Sequence, residues 1–530
     1  MGKFRTIGVI LHPIFKPINI QMMKKIALAF VAILFSGNAF AGGILTNTNQ
    51  NIAFNRNMAR DGIIGIDGVY SNPAGVVFMD NGFHLSVNWQ MAFQTRTIST
   101  TNPDFALGMN NNGNTTKEFK GEANVPFIPS LQAAYNTDCW SLQTNIAITG
   151  GGGKCEFSEG IGSFESAMGA IANQLQPLGT TGYDADCFMS GKQYYIGVSL
   201  GAAYKLTDNF SVFGGARLLV GSASYKARMN NMMVNTAAGA VPFGDFLDNA
   251  NARIAGGIAQ YAEGISQIEA GIAQYKAAGA PVPEDLTAKL TAAQAAKAQL
   301  EGSQKSLQTL ETYREGVSMM SDQKGLGIAP IIGLDYKVGA FNFGAKYEFK
   351  TRMRMKNNST VKEAHQIAAL NKYRDGSSVP EDQPALFTVG GQWSVTPTVR
   401  VMAGYHLFFD KSAHWYNHDE DKLDGNTWEY NGGAEWDATD KLLLSAGFQK
   451  TNYGLSDEYM NDMSFVVSSY TYGLGLRYKV SEKVKVNVAY FQTNYDTYKQ
   501  DVTPVVTNAT THNDYTRTNR VLGVGVDITL

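Results

Sequence analysis

The sequence predicts an all-β protein, a transmembrane antiparallel β-barrel of about fourteen strands, and three observations carry that expectation. Segment after segment alternates with period two, as in His84-Leu85-Ser86-Val87-Asn88-Trp89-Gln90, while helices that could cover a sheet are missing between them. A short secretory leader at Met22 to Ala41 says that the chain is exported. After that leader there is no apolar run of about twenty residues, so a membrane crossing must be made by strands, which pair their backbone groups by closing into a barrel.

The leader reads residue by residue. Lys24 and Lys25 form its charged start, Ile26 to Phe35 its apolar stretch, and Ala39-Phe40-Ala41 a small-residue cleavage site, so that Gly42 becomes the first mature residue. Met1 to Gln21 hold no acidic side chain and read as translation from an upstream start; 1–41 are set apart from the fold. The formal net charge of −2 gives no sign of a nucleic-acid partner. Three cysteines, Cys139, Cys155 and Cys187, sit in an exported chain where disulfides persist, and Cys155 with Cys187 in one expected external loop is the candidate bridge. Free thiols are the alternative, since an odd count leaves one over.

Short turns punctuate the alternation at Asn136-Thr137-Asp138, Thr207-Asp208-Asn209, Lys337-Val338-Gly339, Val395-Thr396-Pro397, Ala438-Thr439-Asp440 and Val480-Ser481-Glu482. Two strands and one longer connection lie between successive short turns. A first strand at Phe83 and a last one ending at Leu530 complete an even number, with both chain ends on the short-turn side. Faces follow from parity. Phe341, Phe343, Ala345, Tyr347 and Phe349 should face lipid, and Asn342, Gly344, Lys346, Glu348 and Lys350 the lumen. Likewise Val399, Val401, Ala403, Tyr405 and Leu407 oppose Arg400, Met402, Gly404, His406 and Phe408.

Residues 42–82 precede the wall (83–530) and are rich in Asn and Gly. A fourteen-stranded barrel is too wide for its own side chains to fill, so forty residues here suit a plug. Asn72-Pro73-Ala74, about thirty residues into the mature chain and just before the first alternating strand, resembles the N-terminal hatch of the FadL-type long-chain fatty-acid transporters of bacterial outer membranes. Only this triplet is a local motif; export signal, layout and strand number make up the rest of the likeness. It implies a fourteen-stranded barrel, a hatch that rearranges, and an inward kink in the third strand through which cargo leaves sideways. Gly150-Gly151-Gly152-Gly153 could support such a kink, because glycine bends or interrupts a strand; a plain loop start is the other reading.

A second segment outside the wall, 243–320, is expected to be helical. Ile254, Ile258, Tyr261, Ile265, Ile268, Ile272 and Tyr275 follow four-three spacing. Pro281 and Pro283 break the chain, and Leu286, Leu290, Ala293, Leu300, Leu307 and Leu310 supply a facing seam. This hairpin should sit between strands five and six on the long-loop side.

Catalytic motifs are lacking: no Gly-x-Ser-x-Gly, His-Glu-x-x-His, phosphate loop or Cys-x-x-Cys is present. His84 and Ser86 share a face, as any residues two apart in a strand do. His414 and His418, followed by Asp419-Glu420-Asp421, read as a solvated external loop in preference to a metal site. The expectation is therefore a monomeric, cofactor-free, non-enzymatic, multi-pass protein among outer-membrane lipids, taking up hydrophobic molecules, long-chain fatty acids above all. Candidates for pairing an anionic head group are the lumen-facing cations Arg217, Lys346, Lys350 and Arg400. A diffusion porin for polar solutes and an adhesin displaying the helical hairpin are the competing readings.

Overall fold

Alternation does produce one continuous wall. The computed structural model describes residues 44–361, 368–463, 465–503 and 510–530; the leader and its cleavage site lie outside them. Fourteen antiparallel wall strands follow one another in chain order. They are β1 Gly82–Thr101, β2 Thr116–Asn136, β3 Trp140–Phe157, β4 Thr180–Thr207, β5 Phe210–Thr236 and β6 Val317–Val338. Next come β7, in two pieces (Phe341–Glu348 and Arg354–Val361), and β8, also in two (Ser378–Pro380 and Leu386–Ser394). The rest are β9 Val399–Phe408, β10 Thr427–Asp437, β11 Leu442–Asn452, β12 Ser469–Lys479, β13 (Val484–Tyr495 and Tyr498–Val502) and β14 Thr511–Thr529. The sheet closes because β1 pairs with β14 in unbroken register from His84↔Thr529 to Thr101↔His512. Closure pairs the first strand with the last and so removes the two free edges of an open sheet, as a lipid environment demands.

The six short connections fall where turn chemistry put them, after β2, β4, β6, β8, β10 and β12. Face parity also holds: Phe341 and Phe343 are exposed while Asn342, Lys346 and Glu348 are buried. Outside, Trp140, Tyr204, Tyr336, Phe341, Trp393, Trp436 and Tyr478 stand beside the short turns. Phe341 stacks on Trp393 with centroids 5.8 Å apart, and Tyr135 meets Trp140 at 5.9 Å. Amphipathic rings at this level form the girdle of a transmembrane barrel, with Leu326, Ile328, Leu474 and Leu522 exposed in the band above. No described helix is long and apolar enough to cross a membrane.

Several strands outgrow that band, and there the polarity of the wall inverts without a change of parity. On β5, Leu218 and Val220 face out beside buried Arg217; farther along, Lys226 and Arg228 face out and Tyr225, Ala227 and Met229 face in. Past the lipid, water lies outside the wall and packed loops lie inside it.

The helical segment forms between β5 and β6 as expected. Helix α4 (Phe243–Ala277) and helix α5 (Glu284–Leu310) pair along the two seams, the break falling at Pro281 to Pro283. Helix ends before Val317, which is already paired with Met229 in the wall, so the insertion is shorter than 243–320. Phe243, Phe246, Leu247 and Ile254 of α4, with Leu300, Leu307 and Leu310 of α5, root the pair in the main apolar cluster. Toward the tip the seam is half-buried.

Candidate functional site

The interior is built in two storeys. At the short-turn end the luminal side chains are mainly polar or charged, with apolar contacts such as Phe213 and Ile331 against Ala74 and Val77, and their partners are residues 44–81, which run inside the wall. Helix α1 (Ile52–Arg56) is capped by its own Asn51, whose Oδ1 accepts from Ala53 N at 2.7 Å while Nδ2 donates to Gln132 Oε1 at 2.8 Å. Asn55 Nδ2 reaches Gln90 Oε1 at 2.7 Å. Arg56 and Arg60 both donate to Glu435 Oε1 on β10, at 2.7 and 2.8 Å, all three side chains being buried. His406 on β9 lies between Asp61 and Glu429, 3.0 Å from Asp61 Oδ2 and 2.9 Å from Glu429 Oε2.

The triplet Asn72-Pro73-Ala74 follows the short helix α2 (Gly68–Ser71) and is tied to three strands at once. Asn72 Nδ2 donates to Asp335 Oδ2 on β6 at 2.6 Å, Gln143 on β3 donates to the Pro73 carbonyl at 2.8 Å, and Ser211 on β5 to the Ala74 carbonyl at 2.7 Å. Wall glycines mark where this segment presses closest. A Cβ on Gly447 would lie 2.7 Å from Asn57 Cα, and one on Gly344 2.7 Å from Asn72 Oδ1. Those luminal glycines were the sequence signal for the packed segment. Arg56, Arg60, Asp61, Glu429 and Glu435 went unnoticed because no local pattern joins them, and parity placed His406 in the lumen without its partners.

The long-loop storey is mainly apolar, with Arg96 and Arg517 buried in it against the Phe465 and Tyr495 rings. Ile98, Phe119, Tyr195, Leu219, Tyr225 and Met229 of the wall pack with Phe105, Phe164, Leu175, Leu370, Phe465 and the start of the N-terminal segment, Ile44 and Leu45. Phe164 and Leu175 belong to helix α3 (Gly162–Leu175) in the loop between β3 and β4.

Two deviations of the wall meet between the storeys. Along β3 the register with β4 slips between Ile148 and Gly150 and again between Gly152 and Cys155, and Gly151 has φ +77°. Across the same stretch β2 and β3 part, their pairing jumping from Glu122↔Glu156 to Ser130↔Ala147. All of Gly150 to Gly153 are buried, and Asn47 N donates to Thr149 O at 2.8 Å. The second deviation is the gap in β7 and β8, bridged by Thr351 and Gln383. Gln383 points inward, its Nε2 donating to both Leu45 O and Thr149 O at 3.0 Å. On the outer side of that gap lies a cleft of about 550 Å³ lined by Leu326, Lys350, Arg352, Met353, Arg354, Pro380, Asp382 and His414.

The four candidate cations all have partners in the chain. Arg217 pairs with Glu348 and lies over the Tyr70 ring at 5.5 Å. Lys346 Nζ donates to the Tyr70 carbonyl at 2.7 Å. Arg400 pairs with Asp437 at 2.6 Å. Lys350 donates to Ser412 O at 2.6 Å and is the most exposed of the four, with 30% of its side chain open. The four are not gathered into one site: Arg217 and Lys346 flank Tyr70, Arg400 sits near the short turns, and Lys350, expected in the lumen, instead lines the outer cleft, because strand pairing ends at Glu348 and the face alternation stops with it.

The expected disulfide is corrected. Cys139, Cys155 and Cys187 are all free. Cys155 is opposite Gly191 on β4, four residues from Cys187; at about 3.3 Å per residue that separation is about 13 Å, roughly twice the Cα span a disulfide tolerates. His84 and Ser86 share a face but bond elsewhere, His84 to Asp80 O at 2.7 Å and Ser86 to Asp527 at 2.7 Å.

Loop carboxyls at the mouth are held in opposite senses. Burial pushes Asp410 up to about 6 against hydrogen bonds from Thr427 and Ile44, and burial likewise pushes Asp462 up to about 6. Burial also works against Glu420, but hydrogen bonds from Trp415 N and from the His414 and His418 rings outweigh it and lower its pKa.

Among solved structures, a Pseudomonas aeruginosa FadL homologue matches at TM-score 0.59 and 12% identity, covering 92% of this chain and 100% of that one. The P. putida toluene transporter TodX matches at TM-score 0.50 and 12% identity, over 88% and 94% of the two chains. A TodX mutant described as a monoaromatic hydrocarbon channel gives 0.51 and 13%, over 91% and 99%. No protein-family model and no curated protein sequence matches the chain. At this identity the likeness establishes the fold, and the chain has the FadL-type barrel fold.

Proposed function

We propose that this protein is a passive outer-membrane conduit for hydrophobic small molecules, with long-chain fatty acids as the cargo that suits it best. The observation that carries the reading is the two-storey lumen: a mainly apolar upper half above a mainly polar lower half occupied by the N-terminal segment. A porin for polar solutes needs a wet, charged constriction, whereas Phe119, Leu219, Tyr225 and Met229 pack in an apolar interior that an apolar chain would enter by displacing the loops seated there. Burial there is worth about 25 cal/mol per Å², which draws such molecules out of the polar leaflet surface.

In this reading residues 42–82 act as the hatch. Their hydrogen bonds to the wall oppose a straight path through the short-turn end. The bend at Gly150 to Gly153 and the parting of β2 from β3 beside it give cargo a sideways exit into the bilayer. Lys350, with Arg352 and Arg354, lines a cleft that also holds Leu326 and Met353, a pairing of cations and apolar surface suited to a carboxylate with an alkyl tail. The named neighbours, a FadL homologue and a toluene transporter, agree with apolar cargo and leave chain against ring as the choice to be tested.

The test is mass spectrometry of molecules extracted from the barrel purified in a non-lipidic detergent, beside a variant lacking residues 42–82. Fatty acids enriched on the intact protein support the full reading. Aromatic or other apolar compounds in their place retain the conduit and change the cargo. No bound amphiphile, with equal leakage of polar solutes from both proteins, favours a porin.

A further inference from the structure

The loop between β9 and β10 carries a cluster to which the transport reading assigns no role, although one member, His414, also lines the cleft beside Lys350. We propose that it is a binding site for a divalent transition metal of the zinc class, held by His414 Nδ1, His418 Nδ1 and Glu420 Oε1. The three ligand atoms lie within 4.8 Å of one another. Each imidazole nitrogen is 3.3 Å from Glu420 Oε1. Four-coordinate zinc holds nitrogen and oxygen ligands at about 2.0–2.1 Å, which separates neighbouring ligands in a tetrahedron by about 3.3–3.4 Å. Two edges of such a site therefore have their final length.

The backbone is shaped to make this cluster. Asn417 and His418 both adopt left-handed conformations, φ +57° and +56°, which L side chains rarely take. These two residues reverse the chain so that His418 returns to the carboxylate His414 already faces, their rings 5.0 Å apart. Glu420 is buried and fixed from behind, because its Oε2 accepts from Trp415 N at 2.9 Å, leaving Oε1 directed at the imidazoles. This is the outer support that a ligating carboxylate needs. The two rings are exposed, at 48% and 66% of their side chains, so an ion arrives from solvent and water completes its shell.

Donor chemistry sets the class of metal. Two imidazoles and one carboxylate suit zinc, nickel, cobalt or copper better than magnesium or calcium, which favour oxygen. Through Glu420 an ion would also hold Trp415, which donates Nε1 to Asp382 O at 2.9 Å and packs on Tyr459. The site would thus fasten the loop that roofs the apolar storey.

The test uses tag-free, full-length protein treated with a chelator, then titrated calorimetrically with zinc. One equivalent should bind to the wild type, with at least tenfold weaker binding in Glu420→Gln and loss of that equivalent in the double variant His414→Ala, His418→Ala. Cobalt(II) added to the wild type should give the strong visible absorption of a four-coordinate ion, a readout that needs no variant. Equal zinc binding by wild type and double variant, or a cobalt spectrum unchanged from that of the free ion, overturns the assignment.

Discussion

Gln383 Nε2 donates to the Thr149 carbonyl at 3.0 Å, joining the gap in β8 to the bend in β3 across the lumen. The same nitrogen holds Leu45 O at 3.0 Å, so one amide links two wall defects and the start of the N-terminal segment. Gln383 is buried, and water cannot readily replace it. Replacing it by Leu strands the buried Leu45 carbonyl, at a cost of about 1–3 kcal/mol, and leaves Thr149 O with Asn47 N alone. Gln383→Leu should therefore speed amide hydrogen exchange at Leu45 to Asn47 and at Gly150 to Gly153 while leaving β10 to β12 protected. Unchanged exchange at both segments would show that the link bears no load.

Glu435 neutralises Arg56 and Arg60 together. Glu435→Gln leaves the buried Arg56 guanidinium without its carboxylate partner, while Arg60 keeps Asp67 at 2.7 Å; stripping one partner from a buried pair costs about 3–5 kcal/mol. The lower storey should loosen, and single-channel recordings in planar bilayers should show frequent conducting openings where the wild type stays closed. Arg400 also approaches Glu435, at 3.5 Å, but Arg400→Ala leaves Glu435 paired with Arg56 and Arg60 and frees only the partly exposed Asp437, so it should have the smaller effect.

Gly151 occupies a left-handed position, and a Cβ there would lie 2.8 Å from the carbonyl carbon of Gln193. Gly151→Val strains the bend through both backbone and contact. Influx of an apolar probe into vesicles should fall several-fold with the barrel still assembled, as judged by its retarded mobility without heating. Full influx in an assembled variant would remove the bend from the exit path.

Asp410 and Asp462 give the roof a dependence on pH. A carboxyl raised from 3.8 to about 6 holds its proton more tightly in the folded loop than in the unfolded chain. Its favourable contribution is full below about pH 3.8 and is lost as pH rises through about 6. Exchange of residues 410–427, corrected for intrinsic rates, should be slower at pH 5 than at pH 7.5. Asp410→Asn should flatten that difference. A wild-type loop equally protected at both values contradicts this assignment.

Much of the wall was legible because its rule is local. Phe341 to Glu348 alternates at every residue, and each short turn announces itself with Thr, Asp, Asn, Gly, Pro or Ser. The helical pair was legible for the same reason, from the spacing of Ile254 to Tyr275. What escaped depends on distance along the chain: Arg56 and Glu435 are 379 residues apart, and no periodicity connects them. The inversion on β5 escaped for a different reason. Tyr225, Lys226, Ala227 and Arg228 alternate as a membrane strand does, and which face is apolar inside depends on how far the strand rises above the lipid. The disulfide failed because Cys155 and Cys187, expected in one loop, stand on the paired strands β3 and β4, four residues out of register.

The most direct test of a two-storey conduit is influx into lipid vesicles holding the purified barrel, comparing a fluorescent long-chain fatty acid with a polar solute of similar mass. Faster delivery of the fatty acid to the vesicle bilayer, with no accelerated entry of the polar solute, is the expected result. Rapid entry of the polar solute with no gain for the fatty acid would contradict the assignment and identify a water-filled pore.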